Sequence, residues 1–422
     1  MIVGSLKDYV DREIHDILQK CTGCGICAQV CPILPYTLAK GEDPKRVVAG
    51  VLDILRGQGG NSASARWVEA CAGSGVCVKE CPEPVNPRRM LLFAKSAIKG
   101  GKVAMDRRQI AHERFKKTGK TVRFISGMQV DPEDMKRITG RQDTRKKNAS
   151  ALFWIGCNLP RTAHLVLTVE DILERLNVDV EVLGGLDNCC GIVHFREGDD
   201  ETGEKIVRNT VRNMEKLGPD LVITWCPTCH IQFSELLGAF LKADFRFQHL
   251  TRFLVDHLDI LTAQGLRRIE KRIALHDHRG LDGVAENIRK LVSAIPGIAI
   301  VEVPQLGNHG YMCSKLGSLP EAKEAVQRQI LEAADRAGAD IVVTPYHSCQ
   351  RELCIAERDY PFEVKNFVTL LGEALGIEYE DKYKKFRILG DADKIIDEAA
   401  PFIKMNKLSQ EEARQIARKE IL

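Results

Sequence analysis

Three features of the sequence predict an α+β multidomain protein, with an α-helical N-terminal domain followed by a pseudo-twofold α/β domain on parallel sheets. The first hundred residues hold two runs of closely spaced cysteines, separated by apolar positions of helical period (Val47, Val48, Val51, Leu52, Leu55). From residue 150, strand-like apolar runs alternate with helical patterns at βαβ spacing, which implies parallel strands with right-handed crossovers. The alternation returns about 120 residues later, the mark of an internal repeat.

At 422 residues the chain has room for two or three domains. The expected boundaries are 1–100 for the helical domain, 101–149 for a basic linker, 150–250 for the first repeat, and 251–422 for the second repeat with C-terminal helices. Hydrophobic residues at 44% and charged residues at 28% are ordinary for a soluble protein. The net charge of +3 is too small to argue for nucleic acid. Fifteen cysteines are the outlier. Most fall in short clusters, and Met1–Asp8 shows no apolar run behind a basic start. Metal-bound thiolates in a reducing cytoplasm are therefore expected rather than disulfides. No apolar stretch approaches the roughly 18 residues that cross a bilayer. Any membrane role is expected at the inner face, through a partner subunit. No glycine-rich phosphate loop follows a strand, so no flavin or NAD is expected on this chain.

An amphipathic stretch (Leu6, Val10, Ile14, Leu18) leads into Cys21-Thr22-Gly23-Cys24-Gly25-Ile26-Cys27-Ala28-Gln29-Val30-Cys31-Pro32. This is the bacterial-ferredoxin run, C-x2-C-x2-C-x3-C-P. The second run, Cys71-Ala72-Gly73-Ser74-Gly75-Val76-Cys77-Val78-Lys79-Glu80-Cys81-Pro82, has Ser74 where the second cysteine would stand. In two-cluster ferredoxins the last cysteine of each run serves the other cluster. Crossing over assigns Cys21, Cys24, Cys27 and Cys81 to a [4Fe-4S] cluster. It leaves Cys31, Cys71 and Cys77 for a [3Fe-4S] cluster, or for a site-differentiated [4Fe-4S] cluster whose fourth iron takes Ser74, water or substrate. The string Cys81-Pro82-Glu83-Pro84-Val85-Asn86-Pro87 resembles the iron–sulfur subunit of succinate dehydrogenase and fumarate reductase. That resemblance implies the [3Fe-4S] form.

Residues 101–149 read as a solvated basic linker with some helix at Arg107–Lys116, or as a docking face for an acidic partner or an anionic membrane surface. Arg107-Arg108, Lys116-Lys117 and Arg145-Lys146-Lys147 carry its charge. Beyond it, strands are expected at Leu152–Ile155, Val178–Leu183 and Leu221–Trp225, with helices at Pro160–Leu176, Glu204–Leu217 and Cys229–Leu241. In the second repeat the strands are Arg272–Asp277, Ile298–Val303 and Asp340–Val343, with helices Val284–Ile295 and Ala322–Ala337. A further amphipathic helix (Phe367, Leu370, Leu371, Ala374, Leu375) begins the tail.

The first repeat carries Cys157, Cys189-Cys190 and Cys226-x-x-Cys229, each cluster just past a strand, where open α/β sheets place their sites. Five thiolates exceed what tetrahedral zinc takes, and suit a multi-iron cluster that shares thiolates. This set resembles the CCG domain of heterodisulfide reductases. The resemblance implies a non-cubane [4Fe-4S] cluster on Cys157, Cys189, Cys190, Cys226 and Cys229. Aligned with it, the second repeat keeps Cys313 and Cys349, but has Met312 for Cys189, Tyr346 for Cys226 and Arg279 for Cys157. A second cluster of that kind is not expected. His276, His278, His309, His347, Cys313, Cys349 and Cys354 leave three options: a zinc ion, a packed remnant, or, with Arg279, a clamp for an anionic or disulfide substrate. His194, His230 and Trp225 neighbour the first set and could tune it.

From about residue 10 to 355 the order of domains looks like a fusion of the two iron–sulfur subunits of heterodisulfide reductase. The resemblance implies an iron–sulfur oxidoreductase, part of a larger complex, from an anaerobic or microaerobic source. Electrons would pass through the N-terminal clusters to the five-cysteine cluster, which reduces or forms a disulfide-type substrate, with His230 and Arg279 as substrate contacts. The alternative is an electron-transfer subunit without a substrate of its own, linking a dehydrogenase or flavoprotein to a membrane cytochrome or quinone pool. The expected partners are such redox subunits and a small thiol or disulfide.

Overall fold

The computed structural model describes residues 4–100, 104–140, 149–238, 240–241, 243–278, 280–304 and 309–422. Among the described residues before 141 there is no strand. Helices Leu6–Lys20, Pro44–Leu55, Ser62–Ala70 and Pro87–Gly100 pack around Trp67, Val47, Val51 and Met90. Local chemistry sets their starts. Ser5 and Asp8 form a capping box, and Asp43 caps a helix that opens on Pro44. The two cysteine runs are loops feeding one-turn helices, Ile26–Gln29 and Val76–Lys79. Gly23 and Gly25 adopt φ of 69° and 86°, Gly73 and Gly75 of 70° and 79°. The chain thus traces the same loop twice, and Ser74 occupies the place of Cys24. This is the helical form of two-cluster domain that the sequence predicts.

Residues 104–127 depart from the solvated connector expected there. They form one helix, Ala104–Gly127, well beyond the predicted Arg107–Lys116. Its C-terminal half buries Phe124 and Ile125 against Tyr383, Phe386, Ile395 and Ile403 of the C-terminal helices Lys382–Leu389 and Ala392–Met405. Its basic face pairs with carboxylates: Arg108 with Glu201, Arg114 with Glu197, Lys117 with Glu420 and Lys120 with Glu412. The apolar stripe is short and follows a charged stretch, which masks the helical period. Arg145-Lys146-Lys147 lie outside the described residues.

The rest is two four-stranded sheets, both fully parallel. The first comprises β1 (Ala151–Gly156), β2 (Val180–Gly184), β3 (Leu221–Thr224) and β4 (Arg246–His249), in the order β2-β1-β3-β4. The second comprises β5 (Lys271–Leu275), β6 (Ile298–Ile300), β7 (Ile341–Thr344) and β8 (Glu363–Asn366), in the order β6-β5-β7-β8. Identical order confirms the repeat and its pseudo-twofold design. β1 is buried throughout, as a central parallel strand should be. The edge strands β4 and β8 are absent from the expected elements. They are four residues each and alternate polar with apolar (Arg246-Phe247-Gln248-His249, Glu363-Val364-Lys365-Asn366), which a half-exposed edge permits. Pro227–Ile231 starts the helix expected from Cys229, but it continues as a π turn, Gln232–Leu236. The tail helix Phe367–Leu375 is buried rather than superficial, wedged against Ala163–Arg175.

Candidate iron–sulfur sites

The strand ends deliver the first-repeat cysteines to one point. Cys157 follows β1, Cys189 and Cys190 follow β2 through the turn Leu186–Asn188, and Cys226 follows β3 at the cap of Pro227–Ile231. Cys189 Sγ lies 3.7 Å from Cys157 Sγ. Contacts continue from Cys189 to Cys190, from Cys190 to Cys229, and from Cys229 to Cys226. All five thiols therefore form one unbroken group.

The loops are held by bonds that do not involve sulfur. Trp154 Nε1 donates to Asn188 O (2.8 Å), Asn188 Nδ2 to Gly184 O (2.7 Å), and Thr210 Oγ1 to Cys189 O (2.8 Å). Gly156 ends β1 with φ +63°, and a Cβ there would sit 2.9 Å from Cys229 Sγ. Glycine is what lets that thiol approach.

Cys189, Cys190, Cys226 and Cys229 are buried, and Cys157 alone is half-exposed. Contact with neighbouring thiols, with burial added, pushes Cys189, Cys190 and Cys229 well above the ordinary thiol range. Buried thiols that repel one another as thiolates need cationic metal to ionise together, so the donor set fits an iron–sulfur group.

The N-terminal cysteines act on one another within the two expected sets and, from Cys27 to Cys77, between them. Cys21, Cys24 and Cys81 all act electrostatically on Cys27, which burial, helped by them, pushes up to about 12. Cys31 and Cys71 act on Cys77 in the same way. Trp67 Nε1, fully buried, donates to Cys31 Sγ at 3.2 Å. A hydrogen bond to a cluster sulfur favours the reduced, more negative state. Trp67→Phe is expected to lower the potential of that site by roughly 40 mV, about 1 kcal/mol for one electron. Potentiometric EPR titration checks it.

A cation group lies between this second set and the five-cysteine group. Lys315, its charge suppressed by burial, feels both the Cys71 and the Cys226 thiols, with Arg196 and Lys95 beside it. Arg196 donates to Tyr311 Oη (2.9 Å), which also meets Thr228 Oγ1 (3.0 Å) inside the Cys226-x-x-Cys229 turn. The two thiol groups are near neighbours across a basic, tyrosine-bridged seam.

The domain organisation now has its counterpart among known proteins. The cysteine-rich domain model, CCG, matches residues 151–234 and 275–353, and the 4Fe-4S dicluster domain model matches residues 17–85. A subunit of the dihydromethanophenazine:CoB--CoM heterodisulfide reductase of Methanosarcina mazei is 24% identical over 402 residues, 86% of this chain and 95% of its own length. The chain is a heterodisulfide reductase-like iron–sulfur protein. It is also similar to a subunit of the fumarate reductase (CoM/CoB) of Methanothermobacter marburgensis, 24% identical over 368 residues, 82% of this chain and 68% of that one. Its 4Fe-4S dicluster and cysteine-rich domains mark it as an iron–sulfur oxidoreductase of heterodisulfide or fumarate reductase type. No described helix is long and apolar enough to cross a membrane.

Around the five thiols of this heterodisulfide reductase-like chain, the remaining candidates fall in different places. His230 Nδ1 meets Thr224 Oγ1 at 2.6 Å, its ring stands edge-on to His249, and burial pulls its pKa to about 4. It is a neutral, engaged imidazole. His194 is tied to Asp199 (2.9 Å) and packs on Phe115. Trp225 Nε1 donates to Pro345 O (3.1 Å), joining the repeats. Arg279 lies outside the described residues. His309 packs on Tyr36 and Cys354 lies in the C-terminal core. A cleft of about 770 Å³ opens at Cys157, and no pattern in the sequence points to it directly. Lys116, Lys120, Arg123 and Lys136 line it with Gly185, Leu186 and Asp187. Its wall is the Ala104–Gly127 helix, whose charge suggests a linker, and the apolar stripe Val122–Ile125 is the signal that the segment packs.

Proposed function

We propose that the chain carries electrons from its N-terminal cysteine sites to the five-cysteine site, and there reduces, or in reverse forms, a small disulfide-type bond. In this reading Cys21, Cys24, Cys27 and Cys81 hold one cluster, Cys31, Cys71 and Cys77 a second, and Cys157, Cys189, Cys190, Cys226 and Cys229 the third. Bound there, iron–sulfur groups supply one-electron steps and open iron for sulfur. Two electrons from a redox partner and two protons from water in the cleft balance cleavage of a disulfide to two thiols.

The observation that carries the proposal is the asymmetry of exposure. Four thiols are buried, and Cys157 lines the 770 Å³ cleft, which gives a substrate a way in. Lys116 and Arg123 line that cleft without a carboxylate partner among the described residues, and suit a carboxylate or sulfonate on the substrate. Arg196 offsets negative charge along the seam between the second and third sites, where burial disfavours the charged forms of its neighbours Lys95 and Lys315. The heterodisulfide in the name of the Methanosarcina relative is a substrate of this class. The runner-up, an electron-transfer subunit serving a membrane quinone pool, draws on the three-cysteine set with Ser74. It predicts quinone-linked reoxidation and no response to thiols.

EPR of the oxidised protein, with and without small anionic thiols, tests the choice. A thiol-dependent paramagnetic signal supports the proposal. No signal with any thiol, together with quinone-linked reoxidation, overturns it. Lys116→Glu/Arg123→Glu is expected to raise KM for an anionic disulfide about tenfold with little change in kcat, since both charges act on binding. An unchanged KM would remove the cleft from the proposal.

A further inference from the structure

Where the first repeat builds its five-cysteine group, the second repeat gathers four other donors. His276 and His278 follow β5 at alternate positions, so their rings face one way. Cys313 comes from the short helix Cys313–Leu316 and Cys349 from the first turn of His347–Leu353. All four are buried, and their donor atoms lie within 4.8 Å of one another. His276 Nε2 is 3.1 Å from His278 Nε2 and 3.1 Å from Cys313 Sγ, and His278 Nε2 is 3.4 Å from Cys313 Sγ. Tetrahedral zinc with two nitrogens near 2.0 Å and two sulfurs near 2.3 Å sets its donors about 3.3–3.8 Å apart. The three distances among His276, His278 and Cys313 fall within a few tenths of an ångström of that range, and Cys349 Sγ joins them inside the 4.8 Å bound.

The tautomer agrees. His278 Nδ1 donates to Gly310 O at 2.8 Å, leaving the Nε2 lone pair aimed at the group. Ligating histidines are commonly held in this way. Two imidazoles and two thiols at one buried point, with no carboxylate among the four, are the nitrogen and sulfur donor set that zinc takes.

Strand register shows what changed between the repeats. Ala151 pairs with Leu221 and Ile273 with Ile341, and Leu221 and Ile341 precede Cys229 and Cys349 by the same separation. Counting on from these partners places His278 at the position of Gly156. In the first repeat that position must be bare, because Cys229 Sγ fills the space. In the second it carries an imidazole.

We propose that His276, His278, Cys313 and Cys349 bind one zinc ion in a closed, four-coordinate site. With every position taken by protein, the site has no opening for substrate and the ion no redox chemistry, so its work is structural. It ties the carboxyl ends of β5 and β7 to the Cys313 loop, and electrons stop at the first repeat.

The test uses full-length protein purified anaerobically without chelator. Elemental analysis is expected to give about one zinc per chain beside the iron. Zinc K-edge absorption is expected to fit two sulfurs at about 2.3 Å and two nitrogens at about 2.0 Å. Absence of zinc from iron-replete protein, an all-sulfur shell, or iron in its place would overturn the proposal. His276→Gln is expected to lose more than about 80% of the zinc and keep its iron, while His309→Gln, outside the group, keeps both. A folded His276→Gln protein with full zinc would also overturn the site. If that variant does not fold, the absorption shell of the native protein decides alone.

Discussion

Gly156→Ala is expected to strip the five-cysteine site of about four irons per chain and leave the N-terminal sites loaded. Two independent effects act at this residue. Its φ of +63° is left-handed, which costs a side-chain-bearing residue about 1 kcal/mol. The new methyl would stand 2.9 Å from Cys229 Sγ, closer than a carbon and a sulfur can pack. That thiol has nowhere to go, because Cys190 and Cys226 already touch it. The backbone cannot yield either, because Gly185 N donates to Gly156 O at 2.9 Å. Gly185→Ala is the control. Its φ of +86° with ψ of 178° also disfavours any residue but glycine, yet a Cβ there meets nothing within 4 Å. It is expected to cost stability and keep its iron. Iron analysis with EPR of the reduced N-terminal sites reads both variants. Equal iron in Gly156→Ala and native protein would show that the contact does not shape the site.

The contrast between these two glycines bears on what a sequence can reveal. Cysteine spacing makes the thiol groups legible, because short loops restrict where each sulfur can go, while the crossed pairing of Cys81 with the first run is an expectation from the two-cluster ferredoxin pattern. Strand and helix alternation makes the parallel sheets legible, and the identical order of the two sheets follows from the repeat. Long-range packing is not legible. The wall of the cleft comes from Lys116, Lys120 and Arg123, far in sequence from Cys157 and in a stretch dominated by charge. Four short residues of alternating polarity, such as Glu363–Asn366, give too little signal to separate an edge strand from the start of a helix. In the second repeat the sequence offers eight histidines and cysteines, and chain folding selects four. His276 and His278, just past the end of β5 at Leu275, reach the group together, while Cys354 is drawn away into the C-terminal core.

Arg88→Ala is expected to destabilise the protein by about 3–5 kcal/mol, the range for breaking a buried ion pair. Arg88 is 9% exposed and joins three parts of the chain. Its Nη1 donates to Gly73 O in the Cys71–Cys77 loop (2.9 Å) and to Gly280 O in the second repeat (2.9 Å). Its Nε donates to Glu235 Oε1 (3.0 Å) and its Nη2 pairs with Glu235 Oε2, on the π turn behind Cys229. Alanine would leave a carboxylate and two carbonyls without this donor, although Asn86 Nδ2 still reaches Glu235 (2.6 Å). Lysine keeps the charge but cannot reproduce the fork, so Arg88→Lys should fall between alanine and native protein. Glu235→Ala added to Arg88→Ala removes the stranded carboxylate and should recover part of the loss. Anaerobic thermal unfolding measures the series, with a melting temperature about 6–20 °C lower for Arg88→Ala. A loss below about 1 kcal/mol would mark the pair as no more than a surface ion pair. Because the same guanidinium presses the Cys71 loop against the two repeats, rapid-mixing reduction should also show slower electron transfer from the second to the third site in Arg88→Ala. A stability loss without that slowing would mean the seam is held by Tyr311, Arg196 and Thr228 alone.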